Sequence, residues 1–311
     1  MICICLIYGV NTNDYIWLHS NFYSIKRIEQ SCISSGIEFN LFIPEDFIFC
    51  VNQLSEKDKS TFFCKTRFLL RGNIPDKVFE ILEKNNTIHT PNKNAKKLAD
   101  DKYKSFHFFK KLNILQPKTF LLDSTHCIEQ FNELCLELGL PFISKPRFGS
   151  MGKNVALIKT QEEFLSLFEN AEKGSYVFQN FFETHTAQRN RSDLRIFVIK
   201  NKAVASVLRI AVNNSSITSN ASQGGIMQEY QTSKKLQKIA IKIIKYAGLD
   251  YGTADFLLPS STSISKSKPA VLCEINASPG FEAIETQTNV KIAEQLVKMV
   301  LILKRKKQKR L

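Results

Sequence analysis

The first ninety residues alternate short apolar runs with one amphipathic stretch. Residues 2–8 are almost wholly apolar, which favours a buried strand. Residues 21–35 carry apolar side chains at helical spacing and are followed by Gly36, which predicts a helix that ends there. The same patterns predict further strands over 39–43, 47–51 and 67–70 and a helix over 76–83. This order predicts a small βαβ-type unit, but its first turn, from Gly9 to Thr12, lacks the G-x-G-x-x-G spacing of a dinucleotide site.

Residues 92–175 mix helices with short strands. Asn92 precedes a helical pattern that runs to Lys111, and asparagine is a favoured helix cap. Thr160 and Glu163 have the spacing of a capping box, which predicts the start of another helix. The other predicted elements are a helix over 124–138 and strands over 118–122, 142–145 and 155–159, the last two joined by the loop 146–154.

Strands dominate from residue 176 onward. Residues 194–199 and 203–210 read as a hairpin. Ser233 precedes a helix with one apolar stripe, which Gly248 ends. The remaining predictions are strands over 176–182, 253–258 and 271–277, a Ser/Lys-rich loop over 259–269, a mobile polar segment over 213–222 and a last helix over 292–303.

The composition predicts a soluble, cytoplasmic protein. The chain has 311 residues, of which 43% are hydrophobic, enough for two or three domains with sizeable cores. No apolar run approaches the ~18 residues that cross a bilayer. The apolar start lacks the basic leader and the cleavage site of a signal peptide. The 8 cysteines are scattered without a Cys-x-x-Cys pair, which favours free buried thiols over zinc or disulfides.

The net charge of +14 is concentrated in the later part of the chain. Residues 1–90 carry 9 Lys and Arg against 10 Asp and Glu, whereas residues 91–311 carry 34 against 19. Six of the positive charges lie in the tail 304–310, which is typical of a frayed, solvated terminus and is also able to hold an acidic or nucleic-acid partner. No recognition helix or aromatic-interleaved sheet accompanies it, which argues against a nucleic-acid binder.

One strand end carries potential cation ligands. Along an extended strand alternate side chains share a face, so Glu274 and Asn276 would point one way and Cys273 the other. A carboxylate beside an amide oxygen suits Mg²⁺. Folding the hairpin at its midpoint brings Asp255 opposite Glu274, and two carboxylates this close repel unless a cation or a proton lies between them. The pattern predicts a metal site; an ordinary strand end with a polar loop, and a local cap at Asp255, are the plainer alternatives.

A glycine-containing loop supplies a potential phosphate contact. Lys145 opens it, and Gly149, Ser150 and Gly152 follow between flanking cations. Backbone N–H groups in such a loop are able to face phosphate oxygens. The loop lacks the G-x-x-x-x-G-K spacing of a Walker motif, and by itself it is more typical of an ordinary surface turn.

Two arginines lie within the predicted hairpin. Arg195 follows Asp193 on one arm, and Arg209 lies in an apolar run on the other. A guanidinium group is costly to bury unless it meets an anion. The pattern therefore fits either an anion site or a structural ion pair.

The order of these features resembles the ATP-grasp superfamily. It is most similar to the RimK-like branch of ATP-dependent carboxylate–amine ligases, which includes enzymes that add glutamate to a protein C-terminus. The resemblance spans residues 90–300 well and residues 1–90 loosely. It rests on these residues and segments: Asp101-Lys102, Lys145, Gly149 to Gly152, Gln179 to Phe182, Asp193, Arg195, Arg209, Ser219-Asn220, Asp255 and Glu274 to Gly280. The continuation from Phe281 to Glu285 is its most specific part.

The resemblance implies an ATP-grasp fold of mixed α/β and α+β type. An N-terminal α/β pre-ATP-grasp domain would precede two α+β subdomains that clasp ATP. The expected limits are 1–91 for the N-terminal domain, 92–175 for the subdomain with the phosphate loop, 176–303 for the subdomain with the metal site and 304–311 for the basic tail.

The resemblance also implies which residues bind ATP. They are Lys102, Lys145, Gly149, Ser150, Gly152, Asn180, Phe181, Asp193, Ser219 and Asn220. The two lysines would contact phosphates, the glycine loop would close over them, and Asn180 and Phe181 would hold adenine through backbone groups. Asp193 would contact the nucleoside. Two departures from the family stand out: Asn154 replaces a third glycine, which should stiffen the loop, and Asn180 replaces a glutamate.

By the same resemblance, Asp255, Glu274 and Asn276 would bind two Mg²⁺ ions, for which Mn²⁺ is an alternative. Arg209 would be catalytic and would stabilise the transferring phosphoryl group. The implied reaction phosphorylates a carboxylate, and an amine then attacks the acyl phosphate to form an amide. The substrates would be small molecules or a peptide or protein end.

Two other functions fit the same features. One is another ATP-grasp ligase, of dipeptide or glutathione type, and the other is a non-catalytic nucleotide-binding protein. A monomer and an oligomer are both compatible with the sequence.

Overall fold

The structure is a computed structural model. It describes residues 2–10, 18, 22–121, 127–149, 152–168, 171–184, 191–211, 225–259 and 269–304. The predictions for Ser150, Ser219, Asn220, the polar segment 213–222 and residues 305–311 of the tail lie outside these residues.

The N-terminal part forms a parallel four-stranded sheet in the order β2-β1-β3-β4. Its strands are β1 (Cys3–Gly9), β2 (Glu38–Phe42), β3 (Thr66–Gly72) and β4 (Ile88–Thr90). The helices between them are α1 (Tyr23–Ser34), α2 (Pro44–Gln53), α3 (Glu56–Lys65) and α4 (Asp76–Lys84). Consecutive residues of β1, such as Leu6 and Ile7, are buried in separate cores on the two faces, as expected of a parallel sheet covered by helices.

The predicted strand over 47–51 is wrong, because this segment lies in α2. Pro44 occupies the first helical turn, with Glu45 and Asp46 next to it, which are favourable residues for a helix start. Phe47 and Val51 are one turn apart and are buried in the same core. A short apolar run does not distinguish a helix from a strand, so the residues typical of a helix start were the better evidence here.

The predicted single helix over 92–111 is two helices, α5 (Lys93–Asp100) and α6 (Lys102–Lys111). Asn92 caps α5 as predicted, since its side chain accepts a backbone N–H group of the first turn at 2.9 Å. Asp101 leaves helical geometry and its side chain accepts two N–H groups of α6. The break places Lys102 at the start of a helix that faces the predicted phosphate loop.

A second, antiparallel sheet has the order β5-β8-β6-β7. Its strands are β5 (Thr119–Leu121), β6 (Phe142–Pro146), β7 (Ala156–Ile158) and β8 (Tyr176–Asn180), and its helices are α7 (Cys127–Leu138) and α8 (Gln161–Phe168). The predicted hairpin of β6 and β7 is confirmed. Because β8 pairs with both β5 and β6, we propose that this subdomain extends to Asn180 instead of ending at residue 175.

The third sheet is the largest, in the order β11-β10-β9-β12-β13, with antiparallel pairing. Its strands are β9 (Ser192–Ile199), β10 (Lys202–Ile210), β11 (Ile226–Glu229), β12 (Tyr251–Leu257) and β13 (Val271–Asn276), and the helices that follow in the chain are α9 (Lys234–Tyr246), α10 (Glu282–Thr288) and α11 (Ile292–Ile302). Ser233 caps α9 as predicted. We call this sheet the central sheet.

The central sheet has a core on each face. On one face α9 packs with α5 and α6, through Ile243, Ala95 and Phe109. On the other face α11 packs between the central and N-terminal sheets, so that Leu296 shares one core with Phe197 and Leu6. The parallel unit followed by two antiparallel sheets is the predicted mixed α/β and α+β class. No helix of the described residues has the length and apolar character to cross a bilayer.

Candidate active site

The predicted nucleotide-binding residues gather around one cleft between the second sheet and the central sheet. The members that line it are Lys102, Lys145, Gly149, Gly152, Asn180, Phe181, Asp193, Arg209 and Glu274. Beside it lies a larger cavity of about 1150 Å³. The two meet where Lys102, Gly149, Arg209 and Glu274 line both of them.

The predicted cation ligands lie on paired strands. Asp255 of β12 is directly opposite Glu274 of β13, as expected, and Thr253 is opposite Asn276. Asp255 is fully buried beneath the cleft, whereas Glu274 and Asn276 line the larger cavity. The register therefore brings the three ligands together from two neighbouring strands.

The prediction that Cys273 points away from Glu274 is wrong. The register of β12 and β13 shifts after Asp255, so that Phe256 pairs with Leu272 and Cys273 is an extra, bulged residue. Cys273 consequently lines both cavities, and its Sγ lies 3.9 Å from Lys145 Nζ. Burial raises the pKa of this thiol to about 11, although Lys145 acts in the opposite direction, so the group is protonated near neutral pH.

Asp255 is held by two guanidinium groups. Arg195 Nε and Nη2 donate to its two carboxylate oxygens at 2.9 and 2.6 Å, and Arg209 Nη2 donates at 2.9 Å. Burial alone would raise the pKa of Asp255, but Arg195 and Arg209 outweigh it and hold the pKa below its usual value. The carboxylate is thus ionised and largely committed to the two arginines.

Arg209 is compensated in turn by Asp193. Its Nε donates to Asp193 Oδ1 at 2.5 Å across the β9–β10 pair. Burial disfavours the charged guanidinium, but Asp255 and Asp193 reverse that effect and raise its pKa. The structural ion pair is therefore present, and Arg209 still lines both cavities. We call Asp193, Arg195, Arg209 and Asp255 the charge cluster.

Glu274 differs from the charge cluster because its carboxylate is uncommitted. Within the described part of the chain no side chain donates a hydrogen bond to it, and it forms no ion pair. Lys102 is close enough to Glu274 and Lys145 to be affected by both charges. Burial lowers the pKa of Lys102, the negative charge of Glu274 partly offsets this, and the positive charge of Lys145 lowers the pKa further. Lys102 and the uncommitted carboxylate of Glu274 thus lie at the junction of the two cavities, and Lys145 lies in the smaller cleft.

A brace that sequence reasoning missed fixes Lys102. Arg147 Nε and Nη2 donate to the two oxygens of Asp101 at 2.9 and 2.8 Å, and the backbone N–H of Lys102 donates to the carbonyl of Arg147. Burial opposes ionisation of Asp101, but the hydrogen bonds from Arg147 and from a helix N–H group hold its pKa below the usual value. The adjacent pair Asp101-Lys102 was the available signal, since an acidic residue before a helical run is a cap.

The predicted phosphate loop has left-handed backbone at several positions. Gly149 has φ of 131° and Gly152 φ of 69°, and Asn154 has φ of 56°. The side chain of Lys102 donates to the carbonyl of Gly149 at 2.8 Å. Asn154 therefore adopts the conformation for which the family uses glycine, at the cost that a side chain brings there.

The predicted adenine hinge lies at the end of β8. Asn180 Oδ1 accepts the backbone N–H of Lys118 at 2.7 Å, so this side chain joins β8 to the chain before β5. Phe181 lines the cleft beneath the guanidinium of Arg191, which lies 5.1 Å from the ring centroid. Apolar residues that sequence reasoning missed complete the cleft: Ile143, Val155 and Leu257.

The donor set fits a hard cation. Glu274 has free carboxylate oxygens, and Asn276 Nδ2 lies 3.3 Å from Asp255 Oδ2, which places amide and carboxylate groups side by side. Among the residues that the structure describes, no three His, Cys, Asp or Glu side chains surround one point. A cation here would therefore depend on water and phosphate oxygens as well, which is how Mg²⁺ is commonly bound.

Comparison with known proteins gives one family match over most of the chain. A family model described as a RimK-like ATP-grasp domain matches residues 99–300. A probable alpha-L-glutamate ligase of Pasteurella multocida is 32% identical over 159 residues, which cover 50% of this chain and 47% of that protein. A probable alpha-L-glutamate ligase of Haemophilus influenzae is 29% identical over 211 residues, which cover 66% of this chain and 63% of that protein. The chain thus spans between about half and just under two thirds of these relatives.

Solved structures share the fold over nearly the whole chain. The ATP-grasp ligase PsnB complexed with minimal precursor has a TM-score of 0.66 at 14% identity, covering 97% of this chain and 99% of that chain. The D-alanine–D-alanine ligase from Bacillus anthracis complexed with ATP has a TM-score of 0.70 at 15% identity, covering 97% and 96%. At these identities the likeness is one of fold, and it includes the N-terminal sheet.

Proposed function

Because the chain belongs to the RimK-like ATP-grasp family, we propose that it is an ATP- and Mg²⁺-dependent ligase that forms an amide bond between a carboxylate and an amine. One observation carries the proposal furthest. The uncommitted carboxylate of Glu274 lies with Lys102 and Arg209 where the cleft opens into the larger cavity. That arrangement suits a reaction in which phosphate passes from one cavity to a group held in the other.

The cleft would hold ATP. Phe181 and the apolar residues around it would hold the base, and Asp193 the nucleoside. Lys102 and Lys145 would neutralise phosphate oxygens, with the loop from Gly149 to Gly152 closing over them. We propose two Mg²⁺ ions, which Asp255, Glu274 and Asn276 would hold. Glu274 would offer free oxygens, whereas Asp255 would share its oxygens with Arg195 and Arg209. When bound, Mg²⁺ neutralises the charge of the phosphates.

The chain's own residues would then guide two steps. In the first, an oxygen of the substrate carboxylate attacks the terminal phosphorus of ATP, and ADP leaves. In the second, the amine attacks the acyl carbon, the bond to the phosphate oxygen breaks, and an amide, inorganic phosphate and a proton result. Arg209 lines both cavities and would stabilise the transferring phosphoryl group, while Asp193 and Asp255 hold it in place. No nucleophilic side chain is needed.

The substrates are proposed from relatives and from the cavity. Relatives are named as probable alpha-L-glutamate ligases, and PsnB is solved with a precursor peptide. A cavity of about 1150 Å³ is larger than one amino acid requires and suits a peptide end together with an incoming amino acid. We propose that the enzyme acts in the cytoplasm and adds an amino acid to a peptide or protein end.

The test is ADP release in the presence of Mg²⁺, ATP, and amino acids paired with peptides, followed by mass spectrometry of the product. We expect E274Q to release ADP at least about 100-fold more slowly than the wild type. Glu133→Gln is the matched control, because Glu133 is exposed on α7 and lines neither cavity. Undiminished ADP release by E274Q would show the assignment to be wrong. ATP binding without ADP release in any pairing would favour a non-catalytic nucleotide-binding protein.

A further inference from the structure

The larger cavity has an unusual residue in its wall, Arg71 at the end of β3. This side chain is 2% exposed, and within the described residues it forms no ion pair. Its Nη2 donates to the carbonyl of Pro279 at 2.8 Å, but its Nε and Nη1 have no hydrogen-bond partner in the part of the chain that the structure describes. Its guanidinium group also lies over the ring of Phe281, 5.3 Å from the centroid. A buried cation that lacks a counter-charge is costly, so its retention needs a reason.

Two buried hydroxyl groups, those of Tyr251 and Ser278, lie at the same corner as Arg71. Tyr251 lies next to Arg71 and Ser278. Arg71 and Ser278 are close enough to the Tyr251 hydroxyl to offset part of the rise in its pKa that burial causes, but among the described residues neither buried hydroxyl group completes a hydrogen bond of good geometry. Arg71 and Ser278 line the larger cavity and the fully buried Tyr251 lies next to them, so three adjacent side chains carry incompletely satisfied hydrogen-bond donors at one corner. Such a gathering of unsatisfied donors indicates an acceptor, either a water or an anion.

The backbone around Arg71 supports a ligand at this corner. Gly9 and Gly72, at the carboxyl ends of β1 and β3, line the cavity together with Arg71. Ligands of open parallel sheets bind outside the carboxyl ends of the strands. A Cβ atom on Gly9 would meet the carbonyl oxygen of Asn73 at 1.7 Å, so the close approach of the two strand ends depends on glycine. We call Arg71, Tyr251 and Ser278 the Arg71 corner.

We propose that the Arg71 corner binds the carboxylate of an incoming amino acid, the carboxylate that does not react. This inference rests on the proposed ligase activity. An amino acid that enters as the amine brings a carboxylate of its own, which the enzyme must hold away from ATP. A carboxylate carries a negative charge, accepts N–H donors of a guanidinium group and has lone pairs left for hydroxyl donors. It therefore matches both the charge and the donors of the corner.

The position of the corner agrees with this assignment. Pro279, whose carbonyl Arg71 holds, is three residues beyond Asn276, a span of at most about 10 Å along the chain. Arg71, Glu274 and Asn276 line the same cavity, so an amino acid whose carboxylate is held at Arg71 would keep its amine within the cavity that the metal ligands line. The reacting carboxylate of the other substrate would instead lie beside Glu274 and Arg209, where the two cavities meet.

The test uses R71M in the 311-residue chain, with R67M as its matched control. Arg67 lies on the same strand, donates to the carbonyl of Leu303 and does not line the cavity. Thermal unfolding is measured with Mg²⁺ and ADP, with and without each free L-amino acid, starting with L-glutamate. We expect at least one amino acid to stabilise the wild type and R67M but not R71M. Replacing its α-carboxylate by a carboxamide should abolish the stabilisation of the wild type.

Steady-state ADP release gives a second readout. The half-saturating concentration of the amino acid should rise about 10–100-fold in R71M, while that of ATP stays within about twofold. An unchanged half-saturating concentration would overturn the proposal and indicate that a buried water satisfies the three donors. Failure of every amino acid to stabilise the wild type would overturn it as well. Stabilisation that depends on Arg71, without any ADP release, would keep the subsite and contradict the ligase activity instead.

Discussion

The charge cluster and the Arg71 corner each contain a buried arginine, but they differ in whether that arginine has a counter-charge. Arg209 is 4% exposed and meets two carboxylates, Asp193 and Asp255. Arg71 is 2% exposed, and among the described residues it meets a carbonyl oxygen, an aromatic ring and the Tyr251 hydroxyl but no carboxylate. In the first region the charges compensate one another within the protein. In the second region the described residues leave one positive charge uncompensated.

The side chains of the charge cluster hold one another in position, whereas Arg71 has a charge and donors that are available to a ligand. A buried pair with good hydrogen bonds is held in one arrangement, and it need not be stabilising overall. Arg195 and Arg209 have this role toward Asp255. Glu274 and Arg71 are the uncommitted groups of opposite sign, and both line the larger cavity. We therefore expect substitutions in the charge cluster to affect folding as well as catalysis, and substitutions of uncommitted groups to affect mainly ligands.

The largest effect on stability should come from D255N. It removes the carboxylate that both Arg195 and Arg209 contact, which leaves buried guanidinium groups short of a counter-charge. We expect a loss of about 3–5 kcal/mol in the free energy of unfolding, measured by urea denaturation. R71M should cost far less, because the charge that it removes has no counter-charge among the described residues. Equal losses in the two variants would remove the distinction between the two regions.

The largest effect on turnover should come from R209M. Arg209 is the member of the charge cluster that lines both cavities, so its loss should lower kcat about 10²–10³-fold. R209K keeps a charge but not the two-pronged geometry, and it should recover only part of the activity. Melting temperatures of both variants separate loss of catalysis from loss of fold. A folded R209M with normal kcat would contradict a catalytic role.

A third prediction concerns the Asp101–Arg147 brace, a compensated pair outside the charge cluster. The folded-state pKa of Asp101 is below its usual value of about 3.9. The pair should therefore stabilise the fold fully at neutral pH, and this contribution should disappear as the pH falls below about 4, through the folded-state pKa. D101N should lower the free energy of unfolding by about 1.5–3 kcal/mol at pH 7.

The pH dependence of that difference is the decisive part. Urea denaturation of both proteins between pH 7 and pH 3 should show the gap between wild type and D101N shrinking with acid. A gap that stays constant or widens would mean that the brace does not depend on an ionised Asp101.

The smallest effect is expected at Asn154 in the phosphate loop. Its φ of 56° favours glycine or asparagine, so N154G should change stability and the half-saturating ATP concentration very little. N154A places an unfavourable residue there and should cost about 1–2 kcal/mol. Fluorescence-monitored unfolding with and without ATP measures both. A large loss in N154G would indicate that the asparagine side chain has a role of its own.

Much of this site could be predicted from the sequence because local pattern and pairing rules suffice for it. Folding the hairpin at the midpoint of its connecting loop places Asp255 opposite Glu274, and that register is confirmed. The bulge at Cys273 could not be predicted, because one extra residue leaves no mark in the alternation of apolar side chains. The strand predicted over 47–51 failed where a proline and two acidic residues signalled a helix start.

The pairing of buried charges that are distant in the chain could not be predicted from the sequence either. Arg195 and Arg209 fitted an anion site and an ion pair equally well, since only the packed sheet shows which carboxylates reach them. The sequence does not mark Arg71 for the same reason. It is buried without a counter-charge among the described residues only because Pro279 and Phe281, more than two hundred residues away, pack onto it.

The acyl phosphate is the central claim, and an isotope transfer tests it most directly. The substrate carboxylate is labelled with ¹⁸O, and the inorganic phosphate released during amide formation is examined by mass spectrometry. If a carboxylate oxygen attacks the terminal phosphorus of ATP and the amine then displaces phosphate, one labelled oxygen per turnover must leave in the phosphate. Amide formation with unlabelled phosphate would contradict the account.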